Sequence, residues 1–321
     1  MRVNRRFLYW GVLLVAIGGI LVAADLRAVD AATLTDVLRL WPLAIVAIGL
    51  SLVLRKTRLS LPGLVLAAAV PGIVVGGALA VAPRLSIACG ARDPAPSVST
   101  SEGTFDGPAR VTVKSGCGSI DVSTAPGNGW RLDAGSTASG RAPTLNADSR
   151  SLSINAGGKE GLGFLDGARD EWFLTLPASD LESLSLGVAA GQGQYSLAGA
   201  RIGHLDVLAN AAEMAVDASA ATTNEVSAVV NVGSLSIRLS DGGDIVGSLR
   251  VGAGRIQVCT PPGLGLHVTS SGTAEEVTVN GLQPDVPNWK SPNYESATHH
   301  ADLLVRANFG AIEINPIGGC P

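Results

Sequence analysis

The sequence is poor in several things at once. Aromatic residues make up 4% of its 321 residues and charged residues 16%, with only 4 histidines and 4 cysteines. So few ligand-bearing side chains leave little material for a metal centre. Their placement does not help: His299 and His300 are adjacent, which in a regular strand turns them to opposite sides, and His204 and His267 lie elsewhere, so the pair reads as part of a surface loop. Also missing are a nucleophile elbow, a zinc-protease signature, a P-loop and a strand-to-helix glycine fingerprint. Ser240 to Asp244 (SDGGD) occurs once, without the repeated ligands of a calcium site, and reads as a turn. The expected catalytic, cofactor-binding and metal-binding residues are therefore none. The net charge of -4 gives no basic footprint for nucleic acid, and 46% hydrophobic residues exclude a disordered chain.

What is present is unevenly distributed. Residues before Pro83 carry 8 Lys and Arg against 3 Asp and Glu; the rest carry 15 against 24. A short basic apolar segment followed by a longer acidic one predicts a membrane anchor carrying an outer domain. Residues 7–24 are uncharged and long enough to cross a bilayer. Residues 40–54 suffice if Val37 and Leu38 join them and Arg39 snorkels. Residues 61–82 form a third uncharged run, which Pro71 should kink. Arg2, Arg5, Arg6 and then Arg55, Lys56, Arg58 flank these runs on the side that stays inside. Three spans with a cytoplasmic N-terminus put everything after Pro83 outside. The expected division is 1–83 transmembrane, 84–103 linker, and 104–321 extracytoplasmic.

A resemblance enters at the second run. Leu40-Trp41-Pro42-Leu43 followed by Ile48-Gly49-Leu50, after a first span bearing Gly11 and Gly18, resembles the membrane region of LiaI/LiaF-type bacterial envelope-stress proteins over roughly the first 55 residues. The resemblance implies a β-rich outer domain of toast-rack or adhesin type and no catalytic residue.

The outer segment is self-similar. Strand candidates with alternating apolar residues begin at Leu184, Leu205 and Val226, then less regularly at Leu249, Leu266 and Leu303. In several units a second apolar pair follows at a constant offset, as Met214 and Val216 follow Leu205 and Val207. Two short strands per turn predict a single-stranded β-helix, or solenoid, filled by small aliphatics. A tryptophan should force such a narrow interior apart. A β-sandwich is the alternative fold. Gly116, Asn210, Asn231, Gly254 and Asn308 share one offset after each first-strand start, which predicts left-handed corners, with Asn210 and Asn231 stacked and bonded to neighbouring backbone groups.

Cys89, Cys117, Cys259 and Cys320 all follow the third run, and an even count outside the cytoplasm favours disulfides. Four cysteines allow three connectivities; the preferred one joins Cys89 to Cys117 and Cys259 to Cys320, and free thiols remain the alternative in a cytoplasmic setting. Two loops break the period and are candidate partner contacts. One carries Phe164 and Leu165; the other carries Trp289, Lys290 and Tyr294, with cover of the coil as the competing role for Trp289. The sequence thus predicts a non-enzymatic integral envelope protein. Its partners would be the bilayer and a membrane sensor kinase or other envelope protein, in envelope-stress regulation. The alternative is an anchored adhesin-like or structural surface protein.

Overall fold

The computed structural model divides the chain into two units, 1–85 and 86–321. The residues described are 97–137, 142–156, 169–271, 277–285 and 288–320, with Val12, Leu14, Val15 and Cys89. The three apolar runs, with Trp41, Pro42 and Gly49, thus lie outside the described residues save for three positions. No helix among the described residues is long and apolar enough to cross a membrane.

The second unit is all β, joined in one large sheet. Its strands are β1 (Ser97–Thr104), β2 (Ala109–Ala125), β3 (Gly129–Ser136), β4 (Thr144–Ala147), β5 (Ser151–Asn155), β6 (Asp170–Pro177), β7 (Asp180–Ser196) and β8 (Arg201–Asp217). They continue as β9 (Thr222–Arg238), β10 (Ile245–Cys259), β11 (Gly265–Ser270), β12 (Val277–Val279), β13 (Gln283–Asp285), β14 (Asn288–Lys290), β15 (His300–Ala307) and β16 (Ala311–Ile314).

Strands β7, β8 and β9 each have 17 residues and pair parallel, so that Leu184 lies beside Leu205 and Leu205 beside Val226. A straight strand of that length would span about 55 Å. Residues 197–200, which bring the chain from the end of β7 to the start of β8, reach no further than about 14 Å. Each long strand must therefore double back on itself. The ladder marks the place: pairing skips Ala189, Asn210, Asn231 and Gly252 and resumes on the following residue. Every lap has a first arm before this corner and a second arm after it. Parallel pairing of successive laps in register is not what an antiparallel sandwich would give.

Alternation puts one side chain in two into the space between the arms. Leu205, Val207 and Ala209 on the first arm and Met214 and Val216 on the second are buried, while Asp206, Leu208 and Glu213 are exposed. The interior is thus built of columns running across the laps, such as Val111, Leu184, Leu205 and Val226. Two columns contain a glycine whose place a neighbour fills. A Cβ on Gly247 would clash with the side chain of Leu303, and one on Gly193 would lie 2.6 Å from the Tyr195 ring.

Several expectations need correction. The lap after β9 is entered at Gly247, not Leu249, because Gly247 is the partner of Val226 and Leu249 that of Ala228. A slip of two residues preserves alternation, and the glycine hid the column. The laps also do not follow chain order at the ends. The lap β15–β16 is inserted between β10 and the earlier β11–β12, and β5 and β6 stack outside β2 on the side away from β7. Trp172 and Trp130 are buried rather than excluded, Trp172 beside Ile120 where the antiparallel strands β6, β3 and β1 close the end of the sheet. Part of the expected linker is strand: β1 pairs antiparallel with β3, and Thr100 Oγ1 donates to Asp133 Oδ1 at 2.8 Å. A Ser/Thr-rich run reads as a tether but serves as an edge strand once a partner backbone is available.

Candidate functional site

The corner residues separate into two columns. Gly116, Ala189, Asn210, Asn231, Gly252 and Asn308 lie at the skipped position, and Asn231 Nδ2 donates to Asn210 Oδ1 at 2.7 Å. The amides therefore bond to each other, not to backbone. The left-handed residues stand two positions later, at Gly118, Gly191, Gly233 and Gly254. Gly254 thus belongs to the second column, and the left-handed backbone expected at Asn210, Asn231 and Asn308 is not adopted. Asn315, with φ 51, is the left-handed non-glycine residue among those described. Its side-chain oxygen accepts from Thr260 N at 2.8 Å.

The cysteines pair as Cys89–Cys117 and Cys259–Cys320. Cys89 is fully buried against Cys117, Ala190 and Ala211 at the corner edge. Cys320 is held additionally through its carbonyl, which accepts from Arg238 Nη2 at 2.6 Å.

Phe164 and Leu165 lie outside the described residues. The second predicted contact loop is packed onto the last laps. Trp289 on β14 is half-buried against the core and pairs with Val268. A short 3-10 helix, Tyr294–Ser296, follows. Lys290 Nζ lies 4.7 Å from the centre of the Tyr294 ring and 3.2 Å from Glu295 Oε1. Tyr294 Oη donates to Asp302 Oδ1 at 3.2 Å, and His267 Nδ1 lies 3.1 Å from the same oxygen. His299 and His300 do not face opposite ways: each Nδ1 is 3.7 Å from Asp244 Oδ1, because His299 precedes β15 and strand alternation does not reach it. The His300 backbone N–H donates to Asp244 and holds that carboxyl below its ordinary range. Lys290, Tyr294 and the histidines are thus engaged with one another or with carboxylates, as in a fastened cover. Among the described residues no group of three or more His, Cys, Asp or Glu could hold a metal.

The outward face of the second arms is different. Register places Asp121, Gln194, Ala215, Ser236, Gln257 and Glu313 in one column. Beside it runs a second, of Ser119, Gln192, Glu213, Ser234, Arg255 and Ala311. Ala215, Ser234 and Ser236 are short while Gln194 and Gln257 are long, so the middle laps form an open trough of about 700 Å³. At one side Glu313 accepts from Gln257 Nε2 at 2.8 Å and lies 3.3 Å from Arg255 Nε. Gln192, Gln194 and Glu213 make no side-chain hydrogen bond to another described residue. The 21-residue spacing, carried through both arms, is the sequence signal that places Gln194, Ala215, Ser236 and Gln257 in one column and Gln192, Glu213, Ser234 and Arg255 in the next.

Beyond Asp121, on β6, stands Phe173, half exposed and paired with Asp121 on one side and Asp133 on the other. Burial pushes the Asp121 carboxyl above its ordinary range, and the charge of Glu171 adds to the shift. A carboxyl whose pKa is raised by folding costs stability above that pKa and nothing once protonated in both states. Asp121→Asn is therefore expected to raise the melting temperature at neutral pH and to leave it unchanged near pH 3. Thermal unfolding across that range checks the sign; equal shifts at both ends would show that the charge is not the cause.

No protein-family profile matches the chain, and no curated protein matches it. Among solved structures it is similar to a proposed cell adhesion protein from Clostridium sporogenes, at 18% identity and TM-score 0.44, covering 67% of this chain and 98% of that one. It is also similar to proposed adhesins from Parabacteroides distasonis (8% identity, TM-score 0.27, 67% and 96% covered) and Bacteroides fragilis (10%, 0.25, 69% and 98%).

Proposed function

We propose that the chain is a non-enzymatic, membrane-anchored surface protein of the bacterial envelope, whose outer unit is a β-helix of toast-rack, adhesin-like type. The observation that carries this reading is the pairing of all four cysteines in two disulfides. Disulfides persist in oxidising compartments, and these follow the last apolar run, on the side where the positive charges of the spans put the outer unit. The open trough of polar side chains gives that unit a face for contact. Glu213 and Glu313 stand three laps apart, roughly 14 Å, beyond the separation at which two carboxylates serve one glycosidic bond. Asp121 and Glu171 are nearer each other but flank Phe173, outside the trough. A regulatory role, with the spans engaging a sensor kinase, has the Trp41, Pro42 and Gly49 pattern as its support.

Sidedness and redox state can be read together. A membrane-impermeant maleimide applied to intact cells should leave Cys320 unlabelled until an impermeant reductant opens its bond to Cys259, and should label it afterwards. Labelling that requires lysis would place the unit inside and remove the proposal.

A further inference from the structure

We infer that the trough on the second arms binds an extended, uncharged β-linked glycan lying across the laps, with Phe173 as a platform beyond one end. The inference deepens the surface-contact reading and rests on it. Four features of the trough select this ligand class.

The first is periodicity. Successive laps are about 4.8 Å apart, close to the advance per sugar of an extended β-linked chain, so each lap meets one sugar, with successive sugars turned over. The second is the kind of group offered. The Gln192 and Gln194 amides both donate and accept, Ser234 does the same, and Glu213 accepts. Gln192, Gln194 and Glu213 have no side-chain partner among the described residues. Sugar hydroxyls likewise donate and accept, and such a row satisfies them without a fixed charge pattern. The third is charge. Asp121, Glu213 and Glu313 against the one Arg255 of these two columns disfavour a polyanion, and the engagement of Glu313 with Arg255 leaves the remaining carboxylates too far apart to hold a polycation in a row. The fourth is shape. Ala215 and Ser236 leave room between Gln194 and Gln257 for a ring to settle edge-on against the laps. In the same column Phe173 presents an apolar face two laps beyond Gln194, where the C–H face of a sugar could stack. From Phe173 to Glu313 the column extends roughly 29 Å, the reach of about six sugars.

The test titrates the full chain, in lipid nanodiscs, with cellohexaose and chitohexaose, using α-linked, curved maltohexaose as the control. Binding of at least one β-linked hexamer is expected, with maltohexaose weaker by about tenfold or more. Ala215→Arg, which lays a long side chain along the floor, should weaken binding by at least about tenfold, and Gln194→Ala or Phe173→Ala by several-fold. All three residues point outward from the core, and an unchanged melting temperature with both disulfides closed shows that each variant is folded. The inference is overturned if neither β-linked hexamer binds, if maltohexaose binds equally well, or if Ala215→Arg in folded protein changes nothing. A chain that labels at Cys320 from outside yet ignores the hexamers sinks this inference and leaves the surface reading standing. Shortened hexamer products would support glycan recognition and overturn the non-enzymatic reading.

Discussion

Replacing Gly233 with alanine is expected to lower the free energy of unfolding by about 3–5 kcal/mol, the upper end for a single substitution. Two effects combine. Gly233 has φ 117, a region that side-chain-bearing residues rarely adopt. Its absent Cβ would also point along the stack into the carbonyl oxygen of Ala212 on the neighbouring lap, well inside van der Waals contact. The same clash is repeated at Gly191 against Gly118 and at Gly254 against Gly233, whereas Ala212, in the same column between Gly191 and Gly233, keeps its Cβ on a backbone without positive φ. Gly127 separates the two effects. Its φ is 118, but nothing lies within 4 Å of a Cβ built on it. Gly127→Ala should therefore cost only the conformational part, about 1–2 kcal/mol. Chemical denaturation of both variants measures the difference; equal losses would mean that lap-to-lap contact at the corner contributes nothing.

Leu205→Ala should cost about 3–4 kcal/mol. Leu205 is fully buried at the middle of a column, between Leu184 and Val226, and the backbones on both sides are fixed by the ladder. A cavity there cannot close by one lap sinking toward the next, because lap spacing is set by hydrogen bonds rather than by side-chain size. Leu208, on the same arm but facing out, should lose less than about 0.5 kcal/mol on the same change. A comparable loss at both would contradict the assignment of the interior to the Leu205 parity.

The regular middle of this fold was readable because period and parity are independent signals that agree from β7 to β9. They fail where a column is kept filled by a residue from another lap. Gly247 carries no apolar signal at the position where one was expected, since Leu303 occupies its space. The reading then moved to Leu249 and carried Gly254 into the wrong corner column. Nor could spacing reveal that the lap beginning near Leu303 lies ahead of the one near Leu266, as both have the same alternation. The asparagine stack was legible as a shared offset, but its partner was not: local turn chemistry favours side chain to backbone, whereas stacking at lap distance brings amide to amide. The buried tryptophans were missed for a different reason. A width limit argued from the middle laps does not apply at the end that β6, β3 and β1 close.

The exchanged order of the terminal laps has a consequence for how such a protein could vary in length. A new turn appended at either extremity would have to displace a pair already interlocked, whereas one duplicated between β7 and β10 would meet identical neighbours above and below. Evolutionary lengthening should therefore occur in the interior, in steps of about 4.8 Å, giving relatives that differ in reach while both closures stay the same.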